Sequence, residues 1–351
     1  MDATATISVP GSEPLDEADA SPIYRAPQPA LRRAERALER ALRLEHAANI
    51  FPLLHVVCYY TLFFCLAPRG LIETVWLRAP LWVVLVLLNF SLSIGIMHMH
   101  AHRKLFTDER ANRVLEFLLS LPCCLSYPVM LYTHVYLHHR YDDGEGDPTS
   151  TDGKEGAFAA VWYWLRYADV THRATIRGLF ARDASSRWRK LRRHYIVDSS
   201  AVLAIIVVYG WIDPERMLLI YLLPLTIVST NIGFFAWLTH APAFRKGGVN
   251  ASINNVNNWM NLLVHNQGFH AVHHAYPGIH WSMIPSRAGL MRDIDPSLIV
   301  PYWVTLPAAL RILRPKSFRD AAFGAQWKRS YEAKSRERRY RLGFLPYFVW
   351  V

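Results

Sequence analysis

Two pairs of long apolar runs, set apart by polar stretches dense in arginine, dominate the chain between residues 50 and 240. The first pair is Ile50 to Ala67 and Leu81 to Met97, with the turn PRG and then Arg78 and Pro80 between them. The second is about Tyr195 to Ile212 and Met217 to Leu238, joined by the short polar turn DPER. At ~1.5 Å per residue, runs of this length sit near the lower limit for crossing ~30 Å of hydrocarbon, so each pair predicts a transmembrane helical hairpin. Asp198 weakens the start of the third run, and Pro224 predicts a kink in the fourth. Another run, Val114 to Thr133, is interrupted by Pro122 and Pro128 and separates two histidine clusters. A single crossing there would put the clusters on opposite sides of the membrane, so a buried or re-entrant helix is expected. Upstream, ALRRAERALERALRLEH sets leucine and alanine at helical spacing with arginines between them, and residues 30–48 read as an amphipathic helix at the membrane interface or on the protein's own surface.

Charge orients this pattern. With 52% hydrophobic residues in 351, the chain still carries a net charge of +11. The basic residues flank apolar runs, which points to a membrane protein with basic cytoplasmic faces and excludes a nucleic-acid binder. Arg32, Arg33, Arg36, Arg40 and Arg43 precede the first hairpin; Arg173, Arg177, Arg182, Arg187, Arg189, Lys190, Arg192 and Arg193 precede the second. The positive-inside rule places both groups in the cytoplasm and the turns bearing Arg69, Arg78 and Arg216 outside. A multi-pass protein with both termini and all histidine clusters on the cytoplasmic side is the expectation. Residues 1–29 are acidic and rich in Pro, Ser and Ala, and read as a disordered tail rather than a cleaved signal. Residues 49–310 are expected to form one membrane domain that carries the protein's chemistry, and residues 311–351, basic from Arg311 through Arg341, a cytoplasmic tail that covers that domain or touches anionic lipid. Cys58, Cys65, Cys123 and Cys124 lack CxxC spacing and are expected to be buried packing residues.

Eleven of the sixteen histidines fall in three windows: HMHAH at 98 to 102, HVYLHH at 134 to 139, and HNQGFHAVHHAYPGIH at 265 to 280. Helical residues four apart share a face, so His98 with His102, His134 with His138, and His270 with His274 are each expected to grip one metal region. Adjacent histidines point about 100° apart, letting His138/His139 and His273/His274 reach two metals. Neutral imidazole alone does not name the ion. Eight or more imidazoles without a thiolate nevertheless suit two metal ions with positions left for oxygen better than a closed zinc site, and their place at the ends of apolar spans favours a di-iron oxidase working on a lipid chain.

The three boxes resemble the membrane-bound fatty acid desaturase and hydroxylase superfamily over about residues 50 to 290: His98 and His102; His134, His138 and His139; His270, His273 and His274. Asp147 and Pro148 after the second box, and Tyr276 and Pro277 after the third, fit as well. His240, in AWLTHAP, resembles the superfamily's further histidine at the cytoplasmic end of its last transmembrane helix. What the resemblance implies is an all-α integral membrane fold, with two transmembrane helical hairpins and a cytoplasmic helical domain carrying a poly-histidine di-iron site. His265 is open between ligand, partner of a ligand and packing residue; His280 and Asp147 are expected to orient ligating imidazoles, and His100 to point away. The acidic run DDGEGD otherwise reads as a solvated loop. Asn254, Asn255, Asn257, Asn258 and Asn261 read mostly as caps and turns, one of them free to hold a metal-bound water.

The implied chemistry uses two iron ions and O2 on a fatty acyl chain, because no side chain deprotonates an unactivated C–H bond at neutral pH. Desaturation is the leading expectation, with hydroxylation or oxidative decarboxylation to a terminal alkene as alternatives. The substrate class spans fatty acid, acyl-CoA, acyl carrier protein and lipid-linked acyl group. No His-Pro-Gly-Gly haem-binding segment occurs, so electrons are expected from a separate ferredoxin or cytochrome with its reductase. A non-catalytic metal transporter or haem protein fits poorly: the histidines lie at span ends, no internal repeat is visible, and a haem needs only one or two of them.

Overall fold

The computed structural model describes residues 29–69, 71–154, 156–241, 249–301 and 321–336, and it is predominantly helical. The disordered-tail expectation for residues 1–28, and the parts of the basic tail at 311–320 and 337–351, lie outside the described residues. In chain order the helices are α1 (Pro29–Leu42), α2 (Ala47–Leu66), α3 (Val75–His102), α4 (Glu109–Ser120), α5 (127–141), α6 (Ala157–Leu179), α7 (Ser186–Ile212), α8 (Pro214–His240), α9 (Asn258–Leu263), α10 (His270–Ala275) and α11 (Ala321–Arg336). Four of them, α2, α3, α7 and α8, are long and apolar enough to cross a membrane. Only 6% of the most apolar window of α7 is buried, and Leu203, Val207 and Trp211 stand exposed on it, an apolar face that needs a lipid rather than an aqueous surround.

These helices outrun their apolar cores. α3 extends past Met97 to His102, and α8 past Leu238 to His240, so a histidine terminates each. Both contain a π-helical turn, Ser91–Met97 in α3 and Met217–Leu222 in α8, and a third, Met130–His138, makes up most of α5. The run Val114 to Thr133 is no continuous helix: α4 stops at Ser120 and α5 starts at Tyr127, with Pro128 in its first turn, where a missing N–H costs nothing.

Asp198 does not weaken α7. Fully buried, it is held by both terminal nitrogens of Arg113, one at 3.2 Å, and accepts from Ser120 Oγ at 2.9 Å, so α4 and α7 are joined by a paired charge. Asp198→Ala leaves Arg113 with only the more distant Glu116 carboxylate, at 3.9 Å; a loss of about 3 kcal/mol is expected, read as a lowered thermal midpoint in detergent that Asp198→Asn lowers less. A second lock ties the turn after α2 to the turn before α8. Arg69 forms a two-pronged pair with Asp213 at 2.5 and 2.9 Å, while Arg216 donates to the carbonyls of Leu66 and Pro68 and to Glu73.

The cysteines divide. Cys123 is buried, Cys65 and Cys124 are half-buried, and Cys58 is exposed, because its position on α2 falls on the outward face of the helix. α6, which the apolar pattern leaves without an element, carries Phe158, Trp162 and Leu165 on an exposed face and packs its other face on α8. That packing is close: a Cβ on Gly233 would lie 2.4 Å from Tyr167 Cβ. α11 lies on the C-terminal region, where Trp327 meets the Phe269 ring at 6.5 Å and Lys328 donates to the Arg292 carbonyl at 2.8 Å. Two short parallel strands, β1 (Asn254–Asn255) and β2 (Ile299–Val300), close this region with Asn254 opposite Ile299.

Candidate metal centre

The C-terminal ends of α3 and α8, the body of α5 and the whole of α10 converge, and each delivers imidazoles to one place. Two groups form. His98, His102, His134, His139 and His273 have ligand nitrogens within 4.8 Å of one another, as do His138, His240 and His274. His270 closes on the second group, its Nε2 lying 3.1 Å from His240 Nε2 and 3.0 Å from His274 Nε2. In the larger group His98 Nε2 is 3.0 Å from His273 Nε2, and His139 Nε2 is 3.0 Å from both His134 Nε2 and His273 Nε2.

The pairing in the second box corrects the expectation from helical spacing. His134 groups with His139, five residues on, rather than with His138. α5 is π-helical over Met130–His138, and its i→i+5 bonding brings residues five apart onto one side. His138 is thereby turned to the second group. His273 and His274 of α10 are divided the same way between the two groups.

Partners fix the second group's rings. His138 Nδ1 is 2.7 Å from Asp147 Oδ2, and the other carboxylate oxygen accepts from the Thr149 amide at 2.8 Å and hydroxyl at 2.7 Å. His274 Nδ1 is 3.3 Å from Asp142 Oδ1. Burial raises the Asp147 carboxyl, but its bond to His138 and the hydrogen bonds from Thr149 outweigh that and keep it below its usual range. Asp142 is lowered by its bond to His274. The run DDGEGD is thus only in part a solvated loop: Asp147 is buried, and Asp142 and Asp147 each hold an imidazole by the nitrogen that faces away from its group. Burial, with neighbouring imidazoles adding to it, drives His134, His139, His270 and His273 well below the ordinary histidine range. All four are neutral at pH 7 and therefore offer lone pairs.

The donor set fits a pair of metal ions. Two nitrogens each ~2.1 Å from one ion stand ~3.0 Å apart at a right angle and ~3.4 Å apart at the tetrahedral angle. The nitrogen pairs here, at 3.0–3.1 Å, match the right-angled edge, and five donors in one group exceed the four of a structural zinc site. His102 Nε2 is buried with no hydrogen-bond partner, which a metal ion would supply. Asp147→Ala is expected to weaken metal binding ~10–100-fold, measured by titrating the metal-free protein with a divalent cation; affinity equal to the parent's would show that the carboxylate does not position His138.

The remaining candidates fall elsewhere. His100 faces away, its Nδ1 accepting from the Leu105 amide at 3.2 Å and its Nε2 lying 3.7 Å from Glu116, whose carboxyl burial raises but His100 and Lys104 bring down to about 2. His280 Nε2 is 2.8 Å from Asn49 Oδ1 and its ring stacks on His46 at 4.4 Å, so it joins the third box to the start of α2 and touches neither group. His265 packs edge-on against His55 and Trp281, at 5.1 and 5.2 Å, apart from both groups. Asn257 caps α9, accepting from the Met260 amide, and Asn254 accepts from the Ala271 amide at the start of α10.

Against the centre lies a narrow cavity of about 60 Å³, lined by His98, His134, His138, His240 and His270 on one side and by Ile94, Met130, Tyr163, Tyr167, Ile232 and Phe235 on the other. A family model for fatty acid desaturases matches residues 74–306, two thirds of the chain, and spans all the clustered histidines. The chain belongs to the fatty acid desaturase family. That membership makes it an oxidoreductase of fatty acyl chains in the general sense. No curated protein and no solved structure matches the chain. As a desaturase-family protein it has two cavity residues that the sequence reading missed, Tyr163 and Tyr167 of α6; four residues apart in WYWLRYADV, their rings carry the signal of one helical face.

Proposed function

We propose that this desaturase-family protein is an integral-membrane, O2-dependent di-iron oxidase that introduces a double bond into a fatty acyl chain. The observation that supports it most is the juxtaposition of two imidazole groups with one largely apolar cavity. His98, His102, His134, His139 and His273 would hold one iron; His138, His240, His270 and His274 would hold the other. Bound iron supplies the one-electron redox chemistry and O2 activation that an unactivated C–H bond requires. The chain's own side chains do the rest. Asp147 and Asp142 fix the rings of His138 and His274, and Tyr163, Tyr167, Ile232 and Phe235 pack the acyl chain and keep water from the carbons beside the imidazoles.

In the membrane, α2 with α3 and α7 with α8 form two hairpins whose linking turns face outward. Both termini and the metal centre then face the cytoplasm, in keeping with the arginines that precede each hairpin. A separate ferredoxin or cytochrome delivers electrons there. The test compares lipids and volatile hydrocarbons from cells with and without the expressed chain, and assays iron in the purified protein. A new internal double bond and about two irons per chain are expected. A hydroxylated acyl chain or a terminal alkene would replace desaturation with that outcome on the same ligands, and identical profiles would overturn acyl oxidation altogether.

A further inference from the structure

Two cavities meet the metal centre. Besides the apolar one, a small cavity of about 10 Å³, room for about one water, is lined by His102 and His273 together with Asn49, Arg103, His280 and Trp281. Gln267 is the one residue shared by the linings of these two cavities. Its side chain is 2% exposed, and its carbonyl oxygen Oε1 has no hydrogen-bond partner. A buried amide oxygen left unpaired costs ~1–3 kcal/mol, so the position calls for a donor that comes from outside the chain.

The backbone is built to put it there. His265 and Asn266, just before it, adopt left-handed conformations with φ of 54° and 65°, uncommon for residues other than glycine and most tolerated by types such as Asn and His. Contacts hold them from both sides. The Asn266 amide donates to the Asn261 carbonyl at 2.9 Å, and the Gln267 amide to the Val264 carbonyl at 3.2 Å. Gly268 donates to Asn261 Oδ1 at 3.0 Å and accepts from the Asn255 amide at 2.8 Å. Only glycine fits at 268, since a Cβ there would come within 2.3 Å of the Asn255 carbonyl oxygen. This many contacts on the backbone beside it hold the buried Gln267 where its unpaired Oε1 shares cavity walls with the clustered imidazoles.

We propose that Gln267 is a positioning residue of the metal centre: its Oε1 accepts a hydrogen bond from a water that supplies a non-histidine ligand to the metal pair, at the junction of the two cavities. The proposal rests on the di-iron reading and deepens it. Its consequence lies in coupling. Desaturation converts one –CH2–CH2– unit, O2, two electrons from the donor protein and two protons into –CH=CH– and two waters. With that ligand position misplaced, the same O2, electrons and protons leave as hydrogen peroxide and the C–H bonds stay intact.

The full-length protein, loaded with 57Fe(II) in detergent and supplied with a reduced ferredoxin, tests this with Gln267→Leu and Gln267→Met. Iron content should stay at the parent's level, because the imidazoles hold the metal. The Mössbauer spectrum before any substrate is added should change, and acyl product per O2 consumed should fall ~10²-fold while peroxide rises to match. Gln267→Glu, which retains an acceptor oxygen at that length, should restore coupling in part. An unchanged spectrum with unchanged coupling in both apolar variants overturns the proposal, and so does loss of iron in both, which would make Gln267 a direct ligand or a packing element. If the parent protein binds iron but oxidises no acyl chain, the di-iron oxidase reading fails by itself, and the spectral comparison still decides whether Gln267 faces the metals.

Discussion

Replacing His139 with alanine is expected to abolish acyl oxidation, by ~10³-fold or more, and to release iron from the larger group. This imidazole lies against members of both groups. Its Nε2 lies 3.0 Å from both His134 and His273, its ring meets His102 at 4.5 Å, and it stacks on His274 of the second group at 4.7 Å. Loss of one donor from five lowers affinity, and loss of the ring that lies against both groups also loosens the spacing between them. Redox partners that work as a unit lose nearly everything when one member goes, so the effect should not be a fifth of the total. Iron per chain by elemental analysis, alongside product by gas chromatography, checks it. A variant retaining two irons and normal product would remove His139 from the centre.

Filling the apolar cavity should have the next largest effect. Ala236 on α8 lines it, between the aromatic wall of Phe235 and the ligand His240 one turn on. Ala236→Phe would place a ring in the cavity proposed to hold the acyl chain, and turnover of long chains is expected to drop ~10²-fold, since a displacement of about 1 Å in a reacting carbon already costs that much. Shorter chains should suffer less, so the product distribution moves toward them. Iron content should be unchanged, because Ala236 is not a ligand. Leu165→Phe, on the exposed face of α6, is the control and should leave chain-length preference alone. A cavity that does not hold the acyl chain would give the same preference in both variants.

Much of this could be read before any fold was known, and the reasons are specific. Long apolar runs announce spans because hydrocarbon imposes a length, so the four long helices were legible from hydropathy alone. The boxes were legible because imidazoles seldom cluster without a metal to bind. Helix ends were less so: α3 and α8 run on through polar histidines, since hydropathy falls at those residues while helical hydrogen bonding does not. α6 escaped notice because its apolar face is interrupted by Arg166, Asp169 and Arg173, which pair with one another along the helix. Asp198 looked like a flaw in a span because its partner, Arg113, lies 85 residues away.

Residue spacing by itself determined that this chain has membrane-length helices and three histidine boxes suited to metal; the resemblance of those boxes to the desaturase superfamily added His240 and fatty acyl oxidation. Only the tertiary structure decided how those histidines divide. The π-helical turn in α5 sends His134 and His139 to one group and His138 to the other, a consequence of a hydrogen-bond register that no count of residues in HVYLHH reveals. It alone also distinguished His265 and His280 from their neighbours in the third window, and set the buried amide of Gln267 between two cavities. Those outcomes depend on which distant surfaces pack together, and packing is a property of the folded chain.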